Sequence, residues 1–313
     1  MTTTRRRLGG PAAGLLYAVG AYALWGFLPL YFLLLSPAGP FEVVAFRVLC
    51  SLVFCAILVA VTRTWRRLRV VLRSPRTLLL IGLGGLLLYA NWQVFLIAVL
   101  GGDVLQGALG YFINPIVTVL LGVILLRERA RPAQWIAIGI SAAAVAVLVV
   151  GYGGVPWIAL ALALSFGGYG LVKKRIGGTV DAITGLTFET AWLVPIAVVE
   201  LVVVGLTTGI SFSAHGPAHA ILMLSSGIVT ALPLLFFAAA ARRLSLVALG
   251  LSQYLTPVLQ FLTGVLLLHE RMPLERWIGF GLVWVALLVL TVDVVIAARR
   301  RGPASSVSSS EPR

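Results

Sequence analysis

Among the ionisable residues of this chain that stand inside long apolar runs are Glu42, Arg47, Glu189 and Glu200. A charged group at the centre of a membrane helix costs roughly 2.5 to 3.5 kcal/mol on insertion scales, so each needs a reason to be there. Glu189 lies well inside its run, about 12 Å deep at about 1.5 Å of rise per residue. A carboxylate at that depth is protonated, paired or open to a cavity, and those are the states a proton-coupled carrier uses. The structural alternative is a hydrogen bond between helices, with Thr187 and Thr190 close by. Arg47 stands nearer the start of its run, where it either binds a substrate carboxylate, compensates a membrane carboxylate, or snorkels to the headgroups. Glu42, in the first turn of the same run, either takes part in proton coupling or complements the positive end of the helix. Glu200, near the far end of its run, reads as an interfacial residue.

A second set of residues could bind an organic solute. Asn91 and Trp92 are adjacent, Tyr111 and Asn114 are three apart on one helix face, and Gln253, Tyr254 and Thr256 form a similar cluster later in the chain. With Trp25 as a further stacking surface, these are the candidate substrate-binding residues. Asn114 is followed by Pro115 and Thr256 by Pro257. Each proline removes one intrahelical hydrogen bond and frees a carbonyl one turn back, which a membrane helix tolerates only beside protein or a wet cavity. The alternative is that the amides tie helices together and the neighbouring glycines permit close packing.

The elements that must position these groups follow from composition. The chain of 313 residues is 60% hydrophobic and only 11% charged, too little polar sequence to cover a water-soluble globule. Its mean hydropathy is +1.05. Ten apolar runs are long enough to cross a bilayer: 13–35, 41–62, 77–99, 103–126, 133–151, 155–172, 181–206, 218–241, 245–268 and 275–297. The expected fold is therefore all-α and integral to the membrane. The net charge of +14 comes from short basic clusters between the runs and not from one face of a domain, so nucleic acid is not the expected partner. Placing the N-terminus in the cytoplasm puts 21 of the 24 basic residues inside, among them Arg5 to Arg7, the arginines from Arg63 to Arg76, and Lys173 to Arg175. That bias predicts a multi-pass protein of the cytoplasmic membrane with both termini inside.

The stretch 109–150 is written a second time at 251–292. With an offset of 142 residues and no gap, sixteen of the forty-two positions are identical, including the pairs Pro115 and Pro257, Gly122 and Gly264, Glu128 and Glu270, Arg129 and Arg271, and Trp135 and Trp277. A weaker echo sets Trp25 and Gly26 against Phe166 and Gly167, and Phe41 and Glu42 against Phe188 and Glu189. The duplicated unit holds five spans, an odd number, so the second copy enters the membrane inverted. Inverted repeats of this kind occur in secondary transporters, whose substrate site lies between the repeats near the midplane. The expected organisation is a cytoplasmic segment at 1–12, a first five-helix repeat at 13–151, a second at 155–297 and a disordered cytoplasmic tail at 298–313.

Several chemistries are excluded by what the sequence lacks. It has no P-loop, no zinc-protease motif and no nucleophile elbow, so neither an ATP-driven motor nor a hydrolase is expected. Cys50 and Cys55 read as packing thiols, and His215 and His219 flank a Gly-Pro pair in a loop, so no metal and no cofactor are expected. Glu128 and Arg129, with Glu270 and Arg271, read as structural ties at helix ends, and Asp103 as a helix N-cap.

The segments GLLYAVGAYALWGFLPLYF from Gly14, NWQVFLIAV from Asn91, LGYFINPIVTVLLGVILLRER from Leu109 and YGGVPWIALALALSFGGYGLVKK from Tyr152 resemble the RarD branch of the EamA, drug/metabolite transporter superfamily. The resemblance covers the chain from about Gly14 to Val292. It implies ten helices as five plus five inverted, a cavity open alternately to each side, and ion-driven export of small metabolites or drugs. The partners are then a small organic substrate, the bilayer and a coupling ion such as H+, in a monomer or a homodimer. The competing readings from other classes are an intramembrane enzyme, for which no nucleophile or metal set is found, and a channel-like protein.

Overall fold

The computed structural model describes residues 10–100, 104–152, 157–212 and 214–262, with scattered positions between 274 and 292. Among these residues all regular structure is helical. The helices are α1 (Pro11–Leu34), α2 (Pro40–Thr62), α3 (Trp65–Leu72), α4 (Pro75–Leu100), α5 (Val104–Leu126), α6 (Pro132–Tyr152), α7 (Trp157–Ile176), α8 (Ala182–Thr207), α9 (Gly216–Ala241), α10 (Leu246–Ser252) and α11 (Leu255–Leu262). Five of them, α1, α2, α4, α8 and α9, are long and apolar enough to cross a membrane, and shorter apolar helices lie within α5 and α6. Glu270, Arg271, Gly264 and Asp103 lie outside the described residues.

The prolines between the runs do more than interrupt them. α1, α2, α4 and α6 each begin on a proline, and α9 carries one in its first turn. That is where a fixed φ is helical already and the missing N–H would have had no partner. Apolar faces remain outward, as at Val199, Val202, Val203 and Leu206 of α8, which suits contact with lipid tails. α3 departs from the expected loop between spans two and three. It sets exposed Trp65, Val70 and Leu72 beside Arg66, Arg67 and Arg69, the composition of a helix lying in the membrane interface.

The bundle is organised around helices that each run along two others. α7 packs on α4 and α5, α1 on α9 and α11, α2 on α8 and α9, and α10 on α5. Glycine sets the closest approaches. A Cβ at Gly227 of α9 would lie 2.4 Å from the carbonyl carbon of Cys50 in α2, and one at Gly85 of α4 would lie 3.1 Å from the carbonyl oxygen of Glu189 in α8. Likewise a Cβ at Gly26 of α1 would lie 2.6 Å from Leu259 in α11, and one at Gly167 of α7 would lie 2.8 Å from Val117 in α5. Such small-residue crossings bring backbones together and gain dispersion contacts that lipid cannot supply.

Two of the expected spans differ in the structure. The sixth does not end at 172 but continues to Ile176, so Lys173 is inside the helix and turned inward. The ninth is not continuous: α10 ends at Ser252, Gln253 and Tyr254 form a turn, and α11 begins at Leu255. Pro257 is the cause, because it has no N–H for the carbonyl of Gln253 four residues back. The Thr256 N–H takes that carbonyl instead, at 3.1 Å, tightening the chain into a turn. α5 keeps its helical path through Pro115, which removes the donor for the carbonyl of Tyr111.

Candidate functional site

A cavity of about 590 Å³, counting its open mouth, lies among α1, α2, α4, α5, α7 and the α10–α11 break. Of the residues expected to bind substrate, the structure gathers Trp25, Arg47, Asn91, Trp92, Tyr111, Asn114, Gln253 and Thr256 on its wall. Tyr254 is not among them. It turns away into a separate core cluster with Phe112, Ile113, Ala144 and Ala286, because the turn at Gln253 sends the two neighbouring side chains in different directions. The rest of the described wall is mainly aromatic, with Tyr22, Phe32, Phe95 and Phe166 beside Leu28 and Gln260. Among the described residues that line the cavity no carboxylate is present.

Arg47 dominates the electrostatics of this cavity. It is 3% exposed, which excludes snorkelling to the headgroups. Its guanidinium lies 4.4 Å from the ring centre of Trp92 and 5.0 Å from that of Phe32, and Nε donates to Thr230 Oγ1 at 3.0 Å. The aromatic faces offer the cation partial compensation by their quadrupoles. No ion pair to a carboxylate involves it among the described residues. The other polar groups divide into satisfied and open ones. Asn91 Nδ2 donates to the Leu162 carbonyl and to Ser165 Oγ, and Thr256 Oγ1 donates to the Tyr22 carbonyl, so both also pin helices together. Asn114 Oδ1 and Gln253 Nε2 are buried without a hydrogen-bond partner. Orphaned groups on a cavity wall are the usual places for a ligand or water.

One face of α7 connects the cavity to a buried ion pair. Phe166 lines the cavity; Tyr169 and Lys173 follow it on the same face, about 10 Å along the axis from first to last. The Phe166 ring packs on Trp25 at 5.3 Å and on Phe237 at 5.4 Å, and Tyr169 stacks on Phe237 at 5.6 Å. The Tyr169 hydroxyl donates to Glu189 Oε2 at 3.3 Å, and Lys173 Nζ lies 2.6 Å from Glu189 Oε1. Both members of the pair are buried, Lys173 at 3% exposure and Glu189 at 0%. Glycines make the room: a Cβ at Gly185 would meet Lys173 Nζ at 3.3 Å, and one at Gly84 would meet Glu189 Oε1 at 3.6 Å. Lys173 is thus a correction to the cytoplasmic cluster expected from sequence. Of that cluster, Lys173 points inward, Lys174 Nζ donates to the Leu244 carbonyl, and only Arg175 is exposed. Thr187 and Thr190, expected as helpers of Glu189, return their hydroxyls to carbonyls of their own helix.

The remaining candidates lie elsewhere. Glu42 is buried at the start of α2, where Oε1 accepts from the backbone amides of Ser211 at 2.9 Å and Phe212 at 3.0 Å, fastening the segment between α8 and α9. Glu200, expected at the interface, is buried, and Oε1 accepts from Tyr89 and from Gln93 Nε2, each at 2.7 Å. Glu128 does act at a helix end: its two oxygens accept from Leu246 N and Val247 N at 2.8 and 2.9 Å, capping α10 where the positive helix end favours an anion. Gly122 leaves space for that carboxylate, since a Cβ there would lie 3.1 Å from Glu128 Oε2. His215 and His219 are engaged with Ser211, and no group of metal-ligating side chains occurs among the described residues. Tyr22, Phe32, Phe95, Phe166 and Thr230 are among the contributors that escaped the sequence reading as site residues. Only Phe166 carried a signal, its alignment with Trp25 in the weaker echo.

A helical bundle with apolar outer faces around a polar, aromatic cavity defines the class, a multi-pass membrane protein, and the names of its relatives place it among transporters. The comparisons agree. Residues 12–150 match the model of the EamA-like transporter family. Protein RarD of Streptomyces exfoliatus is 46% identical over 92% of this chain and 90% of its own length, and Protein RarD of Escherichia coli (strain K12) is 37% identical over 92% and 96%. A solved crystal structure of a protein matches with a TM-score of 0.66 at 20% identity, over 90% of this chain and 98% of that one, a likeness of fold. The chain belongs to the EamA-like transporters, in their RarD branch.

Proposed function

We propose that this transporter is a secondary active exporter of small organic solutes, built of ten spans in two inverted five-helix halves and working by alternating access. Both termini lie on the cytoplasmic side of the cell membrane. The observation that carries the reading is the position of Pro115 and Pro257, two of the prolines that stand inside helices. Tyr111 and Gln253, the residues whose carbonyls Pro115 and Pro257 deprive of a donor, are 253 − 111 = 142 apart and line the same cavity. Discontinuous or disturbed helices meeting at the centre of the bundle are how transporters of this type present polar groups to a solute.

The close crossings support the same reading. Gly85 on Glu189 and Gly227 on Cys50 are separated by 227 − 85 = 142, and Val117 on Gly167 and Leu259 on Gly26 by 259 − 117 = 142. α4 therefore meets α8 as α9 meets α2, and α5 meets α7 as α11 meets α1. Trp25, Arg47, Asn91, Trp92, Tyr111, Asn114, Gln253 and Thr256 form the solute site in this proposal, and Glu189 couples a proton through its exchange between Lys173 and Tyr169. Glu42 is assigned to the loop it caps and not to coupling.

Solute counterflow in proteoliposomes tests the proposal. Loading with unlabelled solute should accelerate entry of the labelled one, and an imposed pH gradient should drive accumulation. Downhill flux without counterflow would instead mark a channel and overturn the carrier reading.

A further inference from the structure

We propose that the solute this cavity takes is anionic: a small carboxylate, or a group of the same charge, attached to an aromatic or apolar body. The inference rests on the transporter reading above and names the substrate class of the same site. Arg47 is a buried cation whose Nε is bound to the Thr230 hydroxyl, while its two terminal nitrogens have no hydrogen-bond partner among the described residues. The Tyr111 hydroxyl, on the same wall, has none either. Two unengaged donor groups, one of them charged, thus face a cavity with no acid among the described residues of its wall.

A membrane protein retains an uncompensated buried cation where a counter-charge arrives from outside. Guanidinium matches a carboxylate in a two-pronged geometry and gains strength from the low dielectric around it. The aromatic faces of Trp92 and Phe32 hold the guanidinium, and Trp25 and Phe166, which pack edge to face at 5.3 Å, shape the wall against which an apolar body would lie. A cationic solute finds no partner here and is repelled by Arg47. The contrast with the other buried base is informative: Lys173 already holds Glu189 at 2.6 Å and has no charge left to offer.

Binding to the purified full-length protein in nanodiscs, measured by calorimetry with three probes of one shape, tests the class: indole-3-acetate, its neutral amide, and tryptamine. The expected order is carboxylate over amide by about tenfold or more, from a charged hydrogen bond, with no binding of the amine. Arg47→Gln should abolish the preference and Arg47→Lys should retain part of it. Thr230→Asp supplies an internal carboxylate beside Arg47 without removing the base, and should cost the carboxylate probe about tenfold while leaving the amide unchanged. Equal binding of carboxylate and amide, preference for the amine, binding of none of the three, or a carboxylate preference that survives Arg47→Gln would each overturn the proposal. Carrier function is read separately, by counterflow of any solute. Counterflow of neutral solutes that Arg47→Gln leaves untouched would reject the anionic class and keep the transporter, whereas absence of all counterflow would reject the transporter itself.

Discussion

Lys173 Nζ and Glu189 Oε1 lie 2.6 Å apart in a site that neither solvent nor lipid reaches. Removing one partner of such a pair leaves a naked charge and costs roughly 3 to 5 kcal/mol, whereas replacing both with apolar groups of similar size is often close to neutral. Glu189→Gln should therefore lower the melting temperature of the detergent-solubilised protein and abolish flux driven by a pH gradient. The double variant Lys173→Met/Glu189→Leu should recover much of the stability and none of the coupling. Flux that still follows the pH gradient in the double variant would remove Glu189 from the coupling step.

Glu42 gives the contrasting case. Its carboxylate holds the amides of Ser211 and Phe212, so its loss should show as stability and not as coupling. Glu42→Gln keeps an acceptor and should cost about 1 kcal/mol, Glu42→Ala about 1 to 3 kcal/mol. Thermal melting measures the first effect. Proteoliposome flux, corrected for folded protein, should keep its dependence on the pH gradient in Glu42→Gln.

The glycine crossings make a graded prediction. Gly227→Ala would force a methyl group to 2.4 Å from the backbone of Cys50, and backbone cannot step aside, so the cost should sit at or above the roughly 1 to 3 kcal/mol usual for overpacking. Gly85→Ala, at 3.1 Å from the Glu189 carbonyl oxygen, should cost less, and Gly139→Ala, with nothing within 4 Å, should be neutral or mildly stabilising. The order of the three melting temperatures is the test.

Topology is open to thiol labelling. In a background with Cys50 and Cys55 replaced by serine, Ser36→Cys, between α1 and α2, should react with a membrane-impermeant maleimide added to intact cells. Ser74→Cys, between α3 and α4, should react only after permeabilisation. The reverse pattern would invert the proposed orientation.

Much of the cavity was legible because a polar residue in an apolar run is conspicuous. Arg47, Asn91, Tyr111 and Asn114 all announced themselves in this way, and the prolines marked the two disturbed helices. Lys173 was hidden for the opposite reason. In a basic cluster at a helix end, nothing local says which residue turns inward; only the phase set by Phe166 and Tyr169, seven and four residues before Lys173, distinguishes Lys173 from Arg175. The partners of Glu200 were invisible locally, since its burial depends on Tyr89 and Gln93 arriving from another helix. Tyr254 was grouped with Gln253 by adjacency, but the turn that Pro257 imposes separates the two side chains.

The crossing at Gly227 and Cys50 also bears on motion. Where two backbones touch with no side chain between them, neither can slide past the other without losing the contact, but each can roll. A bundle that opens first to one face of the membrane and then to the other needs a fulcrum that stays put while the ends swing. The paired contacts at Gly85 and Gly227 would supply one for each proposed half, and because the Glu189 backbone is itself the bearing surface at Gly85, a rolling α4 would turn directly against the residue proposed to carry the exchangeable proton.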